Sequence, residues 1–151
     1  RDVYKRQSQG HDLASPFGMA LVSATVAAGK RPVPTLLADR ETKVSEDVNG
    51  PTPEVIDKLR QMMRATVTNG TASGMQAGGE IHGKTGEAEI NEGSHAWFTG
   101  YRADDDIAFA TLVVLGGGSE VSVAITDSFF QKLDQYRAEP EPDTPPAPAE
   151  N

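Results

Sequence analysis

Between Ile81 and Leu115, extended runs and turn residues follow one another so closely that hairpins are the natural connection. Ile81 to Ile90 is an extended stretch with Gly83 and Gly86 inside it. Ala96 to Tyr101 and Ile107 to Leu115 are strand-like, and Asp104-Asp105-Asp106 between them reads as a solvated turn. Gly116-Gly117-Gly118 stops the third run. Helical patterns flank this block. Ser15 suits an N-cap, Pro16 a first helical position and Gly29 a stop, with Phe17, Ala20, Leu21 and Ala24 as the apolar face. Thr52-Pro53-Glu54 opens a second helix that ends at Asn69-Gly70. Its stripe is Val55, Ile56, Leu59, Met62, Met63, Thr66 and Val67. Val121 to Tyr136 is a last helix with Val121, Ala124, Ile125, Phe129 and Leu133 on one face. Helices, then three strands, then a helix place the chain in the α/β (α+β) class. An antiparallel sheet covered by helices is the economical architecture.

The remaining segments carry no such period. Residues 1–8 differ in pattern from the rest of the chain and read as a truncated or non-native leader. Pro32 and Pro34 mark a loop, Leu36 and Leu37 a short extended segment, and residues 38–50 are polar and acidic. Residues 70–79 are rich in glycine and predict a mobile loop. Residues 138–151 combine proline and acid without large apolar side chains, which predicts a disordered tail. The folding unit is therefore expected over residues 9–137.

Charge excludes one class of partner. The 151 residues carry 22 acids and 14 bases, a net charge of -8, and without residues 138–151 the balance is still -4. Phosphate binding needs a basic surface, so no nucleic acid is expected. No apolar run approaches the roughly 18 residues of a membrane span. The absence of Cys removes disulfides and Cys-ligated zinc.

Several local patterns invite chemistry. Gly78 to Thr85 matches the G-x-x-x-x-G-K-[ST] of a phosphate loop, but that motif works only between a buried strand and a helix N-terminus. Thr71 to Ala77 lacks a strand pattern, and no helical period follows Gly86, so context argues against it. His11, His82 and His95 lack ligand spacing, although His82 and His95 could sit on neighbouring strands. The aspartates at 104–106 lack the alternation of a calcium loop. Asn69-Gly70-Thr71 fits a glycosylation sequon, which means little without a secretory context, and Trp97 and Phe98 read as core. No metal site or cofactor is implied. Lys84-Thr85-Gly86 remains: a lysine and a hydroxyl can hold a carboxylate at a strand edge, and the glycine lets a ligand approach.

The surroundings of that triplet carry a family resemblance. Gly83-Lys84-Thr85-Gly86-Glu87-Ala88-Glu89, followed by His95-Ala96-Trp97-Phe98-Thr99-Gly100-Tyr101, resembles the third and fourth sheet strands of penicillin-binding transpeptidases. Gln9-Gly10 with Ala14-Ser15-Pro16-Phe17-Gly18-Met19-Ala20 is similar to that family's "Q…TPLQMA" helix start. Met62-Met63 leading to Asn69-Gly70-Thr71-Ala72 resembles its "M…GTA" segment. The four blocks keep the family's order over residues 9 to about 134 and look most like class B proteins of high-GC Gram-positive bacteria.

The resemblance implies a β-lactamase/transpeptidase-like fold and acyl transfer through a serine ester. No Ser here is followed by Lys at the third position, and no S-x-N occurs. In the family both motifs lie N-terminal to these blocks, so the chain is expected to be the C-terminal part of the domain and inactive alone. Lys84 would place positive charge near the relay serine and the substrate carboxylate, and Thr85 would hydrogen-bond that carboxylate. Gly86 would stay small beside the substrate. The backbone N–H of Glu87 would be an oxyanion donor, paired with the N–H of the nucleophile serine. Glu87 stands where the family usually has Thr, and its carboxylate could pair with a neighbouring base. Implied partners are peptidoglycan stem peptides, β-lactam antibiotics and cell-wall synthesis or division proteins. The implied location is the extracytoplasmic membrane face, with the anchor upstream. The same fold also serves β-lactamases, D,D-carboxypeptidases and penicillin-recognising sensors.

Overall fold

The computed structural model describes residues 13–35, 37, 39–44 and 49–139. The expected leader, His11, Gln9-Gly10, Leu36 and the tail beyond Glu139 lie outside them. Among the described residues, three helices and three strands follow in order: α1 (Pro16–Ala28), α2 (Pro53–Thr68), β1 (Ile81–Ile90), β2 (Gly93–Arg102), β3 (Ile107–Val113) and α3 (Glu120–Ala138). The strands form one antiparallel sheet in the order β1-β2-β3. Ile81 faces Arg102, Lys84 faces Thr99 and Ile90 faces Gly93, so a tight hairpin joins the first two strands. A 3-10 turn over Ala103–Asp105, with Asp106 left-handed at φ 55, joins the next two. The third strand stops at Val113 rather than Leu115. Leu115 itself turns left-handed at φ 53, its N–H donating to His95 Nδ1.

Alternation along β2 splits the interior into two layers. Tyr101 meets Val26 of α1 and Met63 of α2, with Ala27, Leu59 and Ala108 around them. On the other face Phe98 meets Ala72 and Val123 of α3, with Val67, Met75 and Phe109 against them. Phe109 and Phe98 lie 5.2 Å apart, and Phe130 of α3 stands edge-on to Phe109 at 5.3 Å.

Helix starts follow the sequence closely. Ser15 Oγ accepts from Gly18 N–H, Pro16 opens α1, and Gly29 closes it at φ 71. The helix faces are less well foreseen. In α1, Ser23 and Val26 are buried while Phe17 is 60% exposed. The Ser23 hydroxyl sits 2.7 Å from that of Thr99, so a polar pair fills the close approach of helix and sheet. In α2, Ile56 and Met63 are buried, but Val55 and Met62 face outward. In α3 the expected stripe is the wrong one. Val121, Ile125 and Phe129 are exposed, and Ser122, Val123, Thr126 and Phe130 face the sheet. Ser122 and Thr126 donate their hydroxyls to Ser119 O and Ser122 O, which satisfies them locally and lets small residues line the inner face.

Two loops also depart from expectation. Residues 70–79 are tied down: Ala72 is fully buried, and the N–H groups of Gln76 and Ala77 donate to Asp127 Oδ1 at 2.8 and 2.7 Å. No strand forms at Leu37, which lies in a bend. The aspartate turn is only partly solvated. Asp104 accepts from the Glu80 N–H. Asp105 pairs with Arg102 and Arg137, and Arg102 also bonds Asp134 at 2.8 Å and lies over the Phe130 ring. The Arg102 hydrogen bond, against burial and helped by Arg137, pulls the Asp105 carboxyl down to about 2.

Candidate active site

Lys84, Thr85, Gly86 and Glu87 lie in the middle of β1, which among the described residues has a sheet neighbour on one side only. No helix begins at Lys84, so the phosphate-loop pattern has no helix N-terminus to offer. Register puts Lys84 on the α1 and α2 face, opposite Thr99, and Thr85 on the α3 face, opposite Phe98. The two side chains therefore leave the strand in opposite directions, as a pleat requires.

Each member has a distinct setting. Lys84 is exposed, and its Nζ donates to Thr85 O at 2.6 Å. None of the ion pairs among the described residues involves Lys84. Thr85 is buried, with Oγ1 2.6 Å from Thr71 Oγ1. Glu87 Oε1 accepts from the Ser94 hydroxyl at 2.7 Å, and that hydroxyl also approaches Gly117 O.

The glycines differ in what holds them. A Cβ on Gly83 would strike the Phe98 ring, and one on Gly100 would strike the His82 carbonyl oxygen and the Phe109 ring. A Cβ on Gly86 would touch only Trp97 Cβ, at an ordinary 3.4 Å, and Gly86 has no positive φ. Packing within the chain asks for glycine at 83 and 100 but not at 86.

Beneath the triplet the sheet is firmly built. Thr99 Oγ1 bonds the Met19 and Phe109 carbonyls as well as Ser23. His82 stacks on Tyr101 at 4.6 Å, with Nδ1 3.0 Å from Arg60 O and Nε2 2.8 Å from Glu80 Oε1. Burial pushes the Tyr101 hydroxyl up, partly opposed by Arg60. His82 and His95 do lie on neighbouring strands, but at opposite ends of the ladder, facing Tyr101 and Ala88. Nothing in the sequence pattern singles out Ser23, Ser94 or Asp127, and the motif containing Thr71 does not link it to Thr85. Short polar residues bonded across long loops leave no periodic signal.

The described residues thus form a mixed helix and antiparallel-sheet unit that carries a lysine, a hydroxyl and a glycine on an outer strand. The family model of the penicillin-binding protein transpeptidase domain matches residues 4–133. The chain belongs to that family. No curated protein matches the chain. Among solved structures it is similar to penicillin-binding protein 2 of Pseudomonas aeruginosa, crystallised with WCK 5153. That likeness has 24% identity and a TM-score of 0.61, over 88% of this chain and 32% of the other. It is also similar to penicillin-binding protein A of M. tuberculosis, seen as an imipenem acyl-enzyme, at 24% identity and TM-score 0.58 over 80% and 32%. The D,D-transpeptidase domain of a peptidoglycan glycosyltransferase from Eggerthella lenta shows 19% identity and a TM-score of 0.52, over 79% and 33%. These likenesses establish the fold, and the chain spans about a third of each structure.

Proposed function

We propose that this chain is the C-terminal part of a penicillin-binding D,D-transpeptidase of class B, actinobacterial type, anchored at the outer face of the cell membrane. The acyl donor is a peptidoglycan stem peptide. The upstream serine attacks the carbonyl of its D-Ala–D-Ala bond, the terminal D-Ala leaves, and an amine of another stem takes the acyl group from the serine ester. β-Lactams acylate the same serine, in keeping with the β-lactam acyl-enzyme of the mycobacterial neighbour.

This chain contributes one wall. Lys84 supplies charge to the relay serine and the substrate carboxylate, Thr85 donates to that carboxylate, and the Glu87 N–H completes the oxyanion hole. The observation that carries the reading is Gly86: its lack of a side chain serves neither packing nor backbone strain within the chain, so it serves a ligand on the open edge. Further support comes from Lys84, which reaches the Thr85 carbonyl as a group on that edge can be reached. Alternate residues of an antiparallel strand turn their N–H and C=O to the same edge, which groups Glu87 with Thr85.

The test is labelling with a fluorescent penicillin, read on a denaturing gel. The protein extended upstream through its S-x-x-K helix should label, and the 151-residue chain alone should not. A covalent band on the short chain would place the nucleophile elsewhere and reject the proposal.

A further inference from the structure

Thr85 does not stand alone on its face of β1. Its hydroxyl oxygen lies 2.6 Å from that of Thr71, which arrives from the segment before the strand. That segment is fixed on both sides of Thr71. Ahead of it, Gly70 turns so tightly against α2 that a Cβ there would meet Thr66 Cα at 2.9 Å, and the Ala72 N–H returns to Thr66 O at 3.0 Å. Behind it, Ala72 is fully buried against Phe98 and Val123, and Asp127 receives the Gln76 and Ala77 N–H groups. The Thr71 side chain is thus delivered to Thr85 by a strap anchored on α2, β2 and α3.

Hydroxyl arithmetic gives the contact a direction. A threonine hydroxyl has one proton and two lone pairs, while a carboxylate only accepts. If Thr85 donated to Thr71, its single proton would be unavailable to a ligand carboxylate. We propose that Thr71 is a positioning residue: its hydroxyl donates to Thr85 Oγ1, aims the Thr85 proton at the ligand's carboxylate and polarises that bond. Hydrogen bonds in such a chain reinforce one another in a buried setting. The inference rests on the reading of Thr85 as the carboxylate's donor. A pair that merely fastened the strap to the strand would matter for stability and would leave the acylation rate of the folded protein unchanged.

A double-mutant cycle separates these. The upstream-extended protein is prepared as parent, Thr71→Val, Thr71→Ser, Thr85→Val and the double Val variant, and the second-order rate of acylation by benzylpenicillin is measured. Thr71→Val should slow acylation about 3- to 10-fold, the worth of one hydrogen bond, and Thr71→Ser should restore it. In the Thr85→Val background the Thr71 change should act by less than about 2-fold, because the two residues work as a unit. Where Val at 71 disturbs folding, Thr71→Ala is read in the same cycle. A parental rate for Thr71→Val, or losses that multiply in the double variant, would overturn the role of Thr71 while leaving Thr85 in place. A parental rate for Thr85→Val would instead remove the carboxylate reading, and this inference with it.

Discussion

Two parts of the same sheet are built on opposite principles. Next to the β2–β3 turn, around Arg102 and Gly100, every group has an internal reason to be there. Arg102 is buried, bonds Asp105 and Asp134, and lies over Phe130 at 4.5 Å. Gly100 leaves room for the His82 carbonyl and the Phe109 ring. On the neighbouring strand, Lys84 enters no ion pair among the described residues and Gly86 fills no internal need. The first region satisfies its groups internally, whereas the second holds a charge outside those ion pairs and a glycine that packing does not require. On the proposed function, stability and ligand binding lie side by side along one ladder, and substitutions should sort accordingly.

The largest loss of stability is expected from Phe130→Ala, which empties the contact with Phe109 and Arg102 and should cost about 4 kcal/mol in chemical denaturation. Its neighbour Phe129, half exposed, should cost about 1 kcal/mol or less on the same change. Equal losses would mean that α3 faces the sheet the other way. Gly100→Ala comes next, at about 3 kcal/mol, because backbone cannot retreat as a flexible side chain can.

Asp105→Ala should cost about 2 kcal/mol, the value of a carboxyl lowered from 3.8 to about 2 by Arg102. The sign is fixed by that depression. This stability is fully present above about pH 4, fades as pH falls from about 4 towards 2, and is gone below the folded-state value. Acid titration of stability should therefore be flatter over that window in the variant than in the parent; parallel curves would remove the ion pair from the account. The smallest stability effect belongs to Gly86→Ala, within about 0.5 kcal/mol of the parent. The same change should slow acylation of the upstream-extended protein on the order of 10- to 100-fold, since a methyl displaces the ligand from the edge. A large stability loss there would erase the contrast between the two regions.

The sheet was more fully legible in the sequence than the helices were. Turn residues and alternation located β1, β2 and β3 to within a few residues, and the Gly83–Glu89 block located the candidate site. The inner face of α3 was misjudged because apolar periodicity selects Val121, Ile125 and Phe129. The helix instead buries Ser122 and Thr126, whose hydroxyls are satisfied within the helix and by Thr111. The strap over residues 70–79 looked mobile because glycine was its only local signal. What orders it is a carboxylate 50 residues further on, at Asp127. Asp105 reads as solvated for the same reason, since Arg102 lies three residues before it but Arg137 lies 32 residues after it. Contacts between distant short polar side chains have no period to read.

The proposed function gives Lys84, which is outside every ion pair among the described residues, the task of serving an acyl-transfer centre completed by an upstream serine. The most direct measurement is the second-order rate of acylation by penicillin of the extended protein, parent against Lys84→Ala. Loss of a charge-assisted contact predicts a rate lower by about 10- to 150-fold with the fold intact. A Lys84→Ala protein that reacts as fast as the parent would reduce the triplet to an ordinary strand segment and contradict the account.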